Sequence, residues 1–429
     1  MDNVKIALFG FGTIGTGVVK ILLNQAERIR KTTGKNVVLA KVCDKDLTTQ
    51  RDVLVPDGVI TSDAESIFND PEIKVAVELI GGLEPARTFI LKLLENGKDV
   101  VTANKALLAA HGEELFTAAR KHGRTIAFEA AVCGGIPILN SLSTALQANN
   151  LLSITAIANG TCNYVLTQME GGNMSYSDAV KQAQKLGYAE ANPAMDVDGT
   201  DTAQKLAILA QIGFRTTVDW RNIPRIGIES VDAIDFNYAK ELGYRIKLLA
   251  VARQSDEGLE LHVSPTLVPK DNPLAAVRGA FNAVRIIGDS VGPVFFHGLG
   301  AGQLPTASAV AGDIIDTVLG RTAITFNALN LWNKTDAVNR IKQPETFFGR
   351  SYLRFNVIDK PGVLHEISGI FGKHNISIAS LIQHEIEDSA ALILTTHEAK
   401  EGDLLQSIQE LETLRSVQGK VVRLRVQNI

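Results

Sequence analysis

Four carboxylates and one lysine crowd into the stretch from Gly187 to Leu209, GYAEANPAMDVDGTDTAQKLAIL: Glu190, Asp196, Asp198, Asp201 and Lys205. Asn192-Pro193 argues against helix there, because the proline ring clashes with an α-helical residue before it. Gly199-Thr200, followed by Asp201 and a run of Ala, Leu and Ile, reads as a helix start with an acid in its first turn. Asp201 and Lys205 are four apart and share one face of that helix. As a solvated pair they would contribute only ~0.3 kcal/mol. In a ligand site they could do more, since a lysine ammonium both stabilises charge building on an oxygen and delivers a proton to it. Nearby carboxylates raise a lysine pKa, whereas acting as a base in the reverse direction wants it lowered, as burial or a second lysine would do.

The elements that must position these groups begin with Val4 to Phe9, a strand that runs into Gly10-Phe11-Gly12-Thr13-Ile14-Gly15 and then into apolar residues at helical spacing. In a dinucleotide-binding unit the first glycine permits the tight turn and the second lets the backbone approach a pyrophosphate. The third allows close helix packing, and the helix N-terminus faces the phosphate charge. Asn36 to Val42 is the next strand, with Asp44 at its end, where an acid would accept hydrogen bonds from a ribose diol and favour NAD. Lys45, with Lys41 and Arg51 nearby, could instead hold the 2′-phosphate of NADP. Asp44 as a simple turn cap is the plain alternative.

Val75 to Ile80 is a buried-looking strand ending in Gly81-Gly82, and Pro85 to Glu95 is a helix. Asp99 to Val101 carries Thr102-Ala103-Asn104-Lys105 at its carboxyl end, the side of an open α/β sheet where ligands sit. Lys105 therefore points to the reactive end of a cofactor, or else is a solvated lysine starting the helix Ala106 to Lys121. Thr125 to Phe128 closes this half and leads into Glu129-Ala130-Ala131-Val132-Cys133-Gly134-Gly135-Ile136-Pro137. Backbone carbonyls and one carboxylate around such a bend suit a hard cation; an ordinary tight crossover is the alternative.

From Pro137 onward, long alternating strands (Leu151 to Ala158, Tyr244 to Arg253, Leu259 to Val268, Ala280 to Gly288) mix with helices, as in an α+β domain. Gly298 to Thr306 opens a further helix, Ala307 to Leu319, a second glycine-rich N-terminus that could return to the cofactor. The expected organisation is α/β: a Rossmann dinucleotide-binding domain over 1–135 with helix 304–328 packing back on it, an α+β domain over 136–329, a polar linker over 330–349 and a βαββαβ, ferredoxin-like module over 350–429. Nothing in that module looks catalytic.

The 429 residues suggest about three domains. With 45% hydrophobic and 21% charged residues the composition is that of an ordinary globular protein. A formal net charge of -4 without a basic stripe gives no reason to expect nucleic acid. No export signal or membrane span is visible. Three cysteines, Cys43, Cys133 and Cys162, are too few for a disulfide framework and lack metal-site spacing, so the reducing cytoplasm is the expected compartment.

Taken together, GFGTIG, VTANK, EAAVCGGIP, NGTCNY, GYAEANPAMDVDGTDTAQKLAIL and GLGAGQLPTASAVAGDI resemble homoserine dehydrogenase in the order that family shows them, and IDKPGVLHEISGIFGKHNISI resembles an ACT domain. The resemblance spans essentially the whole chain. It implies reversible NAD(P)H-dependent reduction of aspartate 4-semialdehyde to L-homoserine, on the route to threonine and methionine. Carried over by motif, Lys205 is the proton donor and Lys105 assists near the nicotinamide. Glu190 and Asp201 hold the substrate's ammonium and hydroxyl end, with Asp196 in support. Glu129, Val132, Gly134 and Ile136 would bind a sodium ion, mostly through backbone oxygens. Gly10, Phe11, Gly12, Thr13, Ile14, Gly15, Asp44, Thr102, Lys105 and Gly302 would meet the cofactor. The ACT domain would bind an amino acid, with threonine as the leading candidate, near Asp359, Gly362 and Asn375, and the 136–329 domain would build a homodimer or homotetramer.

Two features depart from the family pattern. Cys162 sits where threonine is more common, and Cys43-Asp44-Lys45 lacks the arginine of many NADP-preferring relatives. Two other readings compete: an aldehyde dehydrogenase working through a thiohemiacetal on Cys162, and a non-catalytic amino-acid sensor, which would have no need of Lys105, Lys205, Glu190 and Asp201 together.

Overall fold

The structure, a computed structural model, describes residues 2–172, 174–333, 340–386 and 389–427. The chain folds as two compact units, one of Met1–Leu151, Gln204–Asn222 and Asn282–Asn339, the other of Leu152–Ala203, Ile223–Phe281 and Arg340–Ile429. Among the described residues no helix is long and apolar enough to cross a membrane.

In the first unit six parallel strands lie in the order Ile60–Thr61, Lys35–Cys43, Asp2–Phe9, Ile73–Glu78, Asp99–Thr102, Ile126–Ala127. Numbered along the chain this is 3-2-1-4-5-6, the doubly wound order whose switch point lies beside the first strand. Helices cover both faces of such a sheet, so its strands read as unbroken apolar runs. Ile6, Ala7, Leu8 and Phe9 are all buried, and Leu8, Val18, Val19 and Val77 share a core with Val310 and Ile314 of helix Gln303–Val318.

Three details depart from the apolar pattern. The strand expected to reach Ile80 stops at Glu78, whose carboxylate turns back to accept the amides of Ile80 (2.8 Å) and Gly81 (3.1 Å). The strand expected over Thr125 to Phe128 shrinks to Ile126–Ala127, because Glu129–Ala131 coils into a 3-10 turn. Trp332, inside the expected 330–349 linker, is buried, with its ring centroid 4.3 Å from that of Phe116. Of that linker, residues 334–339 lie outside the described residues.

In the second unit the strands Leu151–Ile157, Tyr244–Ser255, Gly258–Pro269, Val417–Val426, Phe348–Ile358, Ser389–Thr396 and Ile378–Ile386 lie side by side in that order. The last four, with helices Val363–Lys373 and Glu401–Leu411, form the expected βαββαβ module. A two-residue strand, Ala399–Lys400, is added against Phe348–Gly349. The fold class read from the sequence holds: a parallel Rossmann-like sheet, a mixed-sheet domain and a C-terminal ferredoxin-like module.

That module joins its neighbour through main-chain pairing, Arg425 opposite Thr266. Strand Gly258–Pro269, paired along its length with Tyr244–Ser255, is buried throughout. Glu260 and His262, two apart and so on one face, meet Arg253 and Arg425, and Arg425 and Arg423 both pair with Glu401. Burial pushes the His262 imidazole down to about 4, Arg425 adds to the shift, and Glu260 at 3.2 Å opposes it. Burial also acts to raise Glu260 and Glu401, yet the His262 hydrogen bond with Arg253 and Arg425 keeps Glu260, and Arg423 with Arg425 keeps Glu401, below the usual carboxylate value of 4.5.

The consequence for pH follows from proton counting. Between pH 6.5 and 4 the unfolded chain binds the His262 proton and the folded protein does not. Stability at this site is therefore complete above pH 6.5 and falls as pH drops through that window, by at most ~1.4 kcal/mol per pH unit. His262→Gln should flatten the pH dependence of the unfolding midpoint between 6.5 and 4.5; a melting profile that keeps its slope would clear His262 of the effect.

Candidate active site

The glycine loop follows strand Asp2–Phe9 and opens helix Thr13–Asn24. Gly10 has φ +98°, and a Cβ there would lie 2.6 Å from the Leu79 carbonyl oxygen, while one on Gly15 would lie 2.1 Å from that of Gly10. Gly12 instead has open space and stands at the N-cap without a side-chain cap. The amides of Thr13, Ile14 and Gly15 have no acceptor within the helix, which makes this end a ready anion site.

A cavity of about 370 Å³ beside the loop is lined by Gly10, Gly12, Asp44, Lys45, Ile80 and Pro85 among others. One Asp44 oxygen accepts the Phe11 amide and the other that of Asp46 at 2.8 Å, so the expected ribose acid also pins the loop. Arg51 clamps the same turn, donating to Phe11 O (3.2 Å) and Asp46 O (2.7 Å) with its guanidinium 5.0 Å above the Phe11 ring. Lys41 donates to Gly58 O at 2.8 Å. Two of the three cations near Asp44 are thus held by main-chain oxygens, whereas Lys45 lines the cavity. Backbone shape, helix terminus and charge together fit a dinucleotide.

At the carboxyl end of strand Asp99–Thr102 a chain of hydrogen bonds fixes Lys105. Buried Glu78 accepts the Thr102 hydroxyl at 2.7 Å, and Thr102 Oγ1 accepts the Asn104 amide at 3.0 Å. Asn104 Oδ1 then caps helix Lys105–Lys121 through the Leu107 amide (3.1 Å), while its Nδ2 donates to Gly82 O (2.7 Å). Lys105, half-buried, is the first residue of that helix. Sequence reasoning passed over Glu78. Its signal was an acid closing an apolar strand just before two glycines.

The acid-rich stretch resolves into distinct parts. Asp198 accepts the Thr200 amide at 2.7 Å and so starts helix Thr200–Gly213. Asp201 is buried in the first turn, and Lys205 follows one turn later, half-buried. The boundary between the compact units falls between Ala203 and Gln204, leaving Asp201 in the second and Lys205 in the first. Asp196 lies in the first turn of the short helix Ala194–Val197.

Asn159 draws two of these acids together: its Nδ2 donates to Asp196 Oδ1 and to Asp201 Oδ2, both at 2.8 Å. The neighbouring NGTCNY residues brace the same loops, Thr161 Oγ1 donating to Tyr188 O (2.6 Å) and Asn163 Nδ2 to Gly279 O (2.9 Å). Asn163 Oδ1 accepts from buried Lys247 at 3.1 Å, an amine that burial pushes down to about 8. Glu190 stands apart, exposed, with its main-chain oxygen accepting from Gln184 Nε2 at 3.1 Å. Cys162 is fully buried and its thiol donates to Asp196 O at 3.1 Å. A sulfur so placed cannot attack an incoming aldehyde, which removes the thiohemiacetal reading.

In the bend after the sixth strand, the Glu129 carboxylate accepts the amides of Leu139 (2.9 Å) and Asn140 (2.6 Å), and its own amide donates to Asp313 (2.8 Å). Burial pushes Glu129 up to about 7 and Asp313 well above the usual carboxylate range, with Glu129 adding to the latter. That side chain thus faces helix amides, and of the expected main-chain ligands Ile136 O already accepts the Ile138 amide at 2.7 Å and Glu129 O that of Val132 at 3.4 Å. Among the described residues no group of three His, Cys, Asp or Glu side chains is arranged for a metal. Successive left-handed residues Cys133 (φ 56°) and Gly134 (φ 48°) turn the chain, and Gly135 donates to Leu299 O at 3.0 Å. Gly302 (φ 120°) is the N-cap of helix Gln303–Val318, which starts four residues before the expected Ala307.

In the C-terminal module, exposed Asp359 and Gly362 precede helix Val363–Lys373, and Asn375 (φ 55°) follows it. An 11-residue helix is about 16 Å long, so Asn375 lies at the far end from the other two.

Residues 10–129 match the family model described as homoserine dehydrogenase, NAD binding domain; 137–315 match homoserine dehydrogenase; and 351–416 match the ACT domain. The homoserine dehydrogenase of Pseudomonas aeruginosa is 41% identical over 100% of both chains, and that of Synechocystis sp. is 43% identical over 97% of each. A crystal structure of a homoserine dehydrogenase from Thiobacillus denitrificans has a TM-score of 0.92 at 38% identity, covering 100% of this chain and 99% of its own. A family of enzymes matched end to end leaves no place for the sensor reading. The chain belongs to the homoserine dehydrogenases, NAD(P)-dependent oxidoreductases, and carries a C-terminal ACT domain.

Proposed function

We propose that the chain catalyses the reversible reduction of L-aspartate 4-semialdehyde to L-homoserine, on the route to threonine and methionine. The observation that carries this reading is the acid pair Asp196 and Asp201, bound by one amide, with Lys205 one helical turn further on. A bound nicotinamide supplies hydride to the aldehyde carbon. Lys205 gives its proton to the aldehyde oxygen and takes it back in the oxidative direction, while Lys105 assists from the end of strand Asp99–Thr102. Asp201 and Glu190, with Asp196 behind them, hold the substrate's ammonium and hydroxyl. Exposed Glu190 would turn inward only when substrate is bound.

The oxygens of Glu129, Val132, Gly134 and Ile136 are assigned to a sodium ion that stiffens the bend. Threonine is the proposed effector of the ACT domain. Because one helix separates Asp359 and Gly362 from Asn375, a ligand touching both ends needs a second copy of the module, which agrees with a homodimer or homotetramer. Three cysteines, all buried, suit the reducing cytoplasm.

Lys45 supports NADP as the nucleotide, since it is the cation that lines the cavity beside Asp44. The test is homoserine-dependent reduction of each nucleotide followed by absorbance, with and without threonine. No reduction of either nucleotide would end the reading, and an unchanged rate in threonine would end the effector assignment. In the same assay Lys45→Ala should raise KM for NADP about tenfold, equivalent to ~1.4 kcal/mol, and leave KM for NAD nearly unchanged. Equal effects on both would show that Lys45 does not meet a 2′-phosphate.

A further inference from the structure

We propose that Asn159 is the positioning residue of the substrate site, holding Asp196 and Asp201 as a pre-paired acceptor for the substrate's cationic and hydroxyl end; this rests on the function proposed above. The two acids come from different segments, the short helix Ala194–Val197 and the first turn of Thr200–Gly213. Like charges held this close repel and resist joint ionisation. An amide NH₂ has two protons, and here one goes to each carboxylate at 2.8 Å.

The orientation of that amide is fixed by its other end. Asn159 Oδ1 accepts the Cys162 amide at 2.8 Å, the third residue of helix Gly160–Gly172, so the oxygen must face the helix and the nitrogen the acids. Asn159 is therefore both helix cap and acid clamp. Its side chain is buried, which strengthens both hydrogen bonds. The helix N-terminus beneath it adds partial positive charge on the same side. Cys162 Sγ, donating to Asp196 O at 3.1 Å, ties the backbone of one acid to the same turn.

The two jobs are separable by substitution. Asn159→Ser keeps a good N-cap and removes the NH₂. Asn159→Asp keeps cap and shape but adds a third carboxylate. In the full-length enzyme, kcat/KM for homoserine should fall about 30- to 100-fold in the serine variant, which loses both charge-assisted hydrogen bonds to the acids, and further in the aspartate variant. The acid limb of the kcat/KM profile should move up by about one pH unit, because carboxylates that lose a donor protonate more easily. Cofactor affinity and the serine variant's melting midpoint should stay near those of the parent.

A serine variant with kcat/KM within threefold of the parent and an unmoved acid limb would overturn the proposal. Failure of both variants to fold would overturn it equally, by making Asn159 a structural residue. A parent enzyme that does not turn over homoserine would refute the proposed function instead. Carboxyl-carbon NMR titration then decides the clamp by itself: Asp196 and Asp201 should protonate at higher pH in the serine variant, and identical titrations would refute the pairing.

Discussion

Replacing Lys205 by alanine is expected to lower kcat by about 10²- to 10⁴-fold, the range that a positioned general acid contributes. If Lys205 is the proposed proton donor, kcat and kcat/KM should fall together, because the proton would be needed as charge builds on oxygen and not for substrate capture. The dissociation constant for the nucleotide should stay near that of the parent, since Lys205 is not among the residues lining the cavity beside Gly10, Asp44 and Lys45. Lys205→Arg sharpens the test. Arginine keeps the positive charge but holds its proton at all working pH values. If proton transfer is the role, the arginine variant should be nearly as slow as the alanine one; recovery of most of the activity by arginine would reduce Lys205 to a fixed charge. Near-parental kcat in the alanine variant would remove it from the chemistry altogether.

How much of this was legible in the sequence depends on the distance over which each feature is decided. The Rossmann half was readable because strands buried on both faces give continuous apolar runs, and because glycines at fixed offsets have local causes, as Gly10 and Gly15 show. Strand ends were not, since side-chain bonds set them, as Glu78 does by accepting the Ile80 and Gly81 amides with one oxygen and the Thr102 hydroxyl, 24 residues away, with the other. Strand Gly292–Leu299 was not anticipated: Gly292, Pro293 and Gly298 are poor strand formers, and none of its residues is buried to mark a core face. The acid-rich stretch showed its residue types but not their partners. Asp198 turned out to start a helix, Glu190 to be exposed, and Asn159 to be the group that joins Asp196 to Asp201 from 37 and 42 residues away. Its quoted motif, NGTCNY, carried the signal of a polar residue closing an apolar strand at a helix N-cap.

The largest effect on stability is expected at Asp235. This buried carboxylate sits on helix Ala233–Glu241 and accepts the Tyr352 hydroxyl (2.8 Å) and Arg354 Nε and Nη2 (2.7 and 3.1 Å) from strand Phe348–Ile358 of the ACT domain. It also closes a capping box by accepting the Asp232 amide at 2.9 Å. Burial pushes the Tyr352 phenol far above its usual range, and Asp235 adds to this, so the hydroxyl remains a donor at every working pH. Asp235→Ala would leave a nearly buried guanidinium without its acceptor, a change that costs ~3–5 kcal/mol. Asp235→Asn, which keeps the shape and one acceptor, should cost less. Replacing the pair together, Asp235→Leu with Arg354→Met, should restore much of the loss, because apolar groups of similar volume often substitute for a buried ion pair. Denaturant unfolding of the three variants measures this directly. An alanine variant within 1 kcal/mol of the parent, an estimate of ordinary surface-substitution size, would mean that the ion pair is replaced by water at no cost. Since Asp235 ties the module's first strand to a helix outside it, the alanine variant should, if threonine is the effector as proposed, also lose its response to threonine before it loses turnover. Loss of both in parallel would place the contact in the enzyme's general stability and not in its regulation.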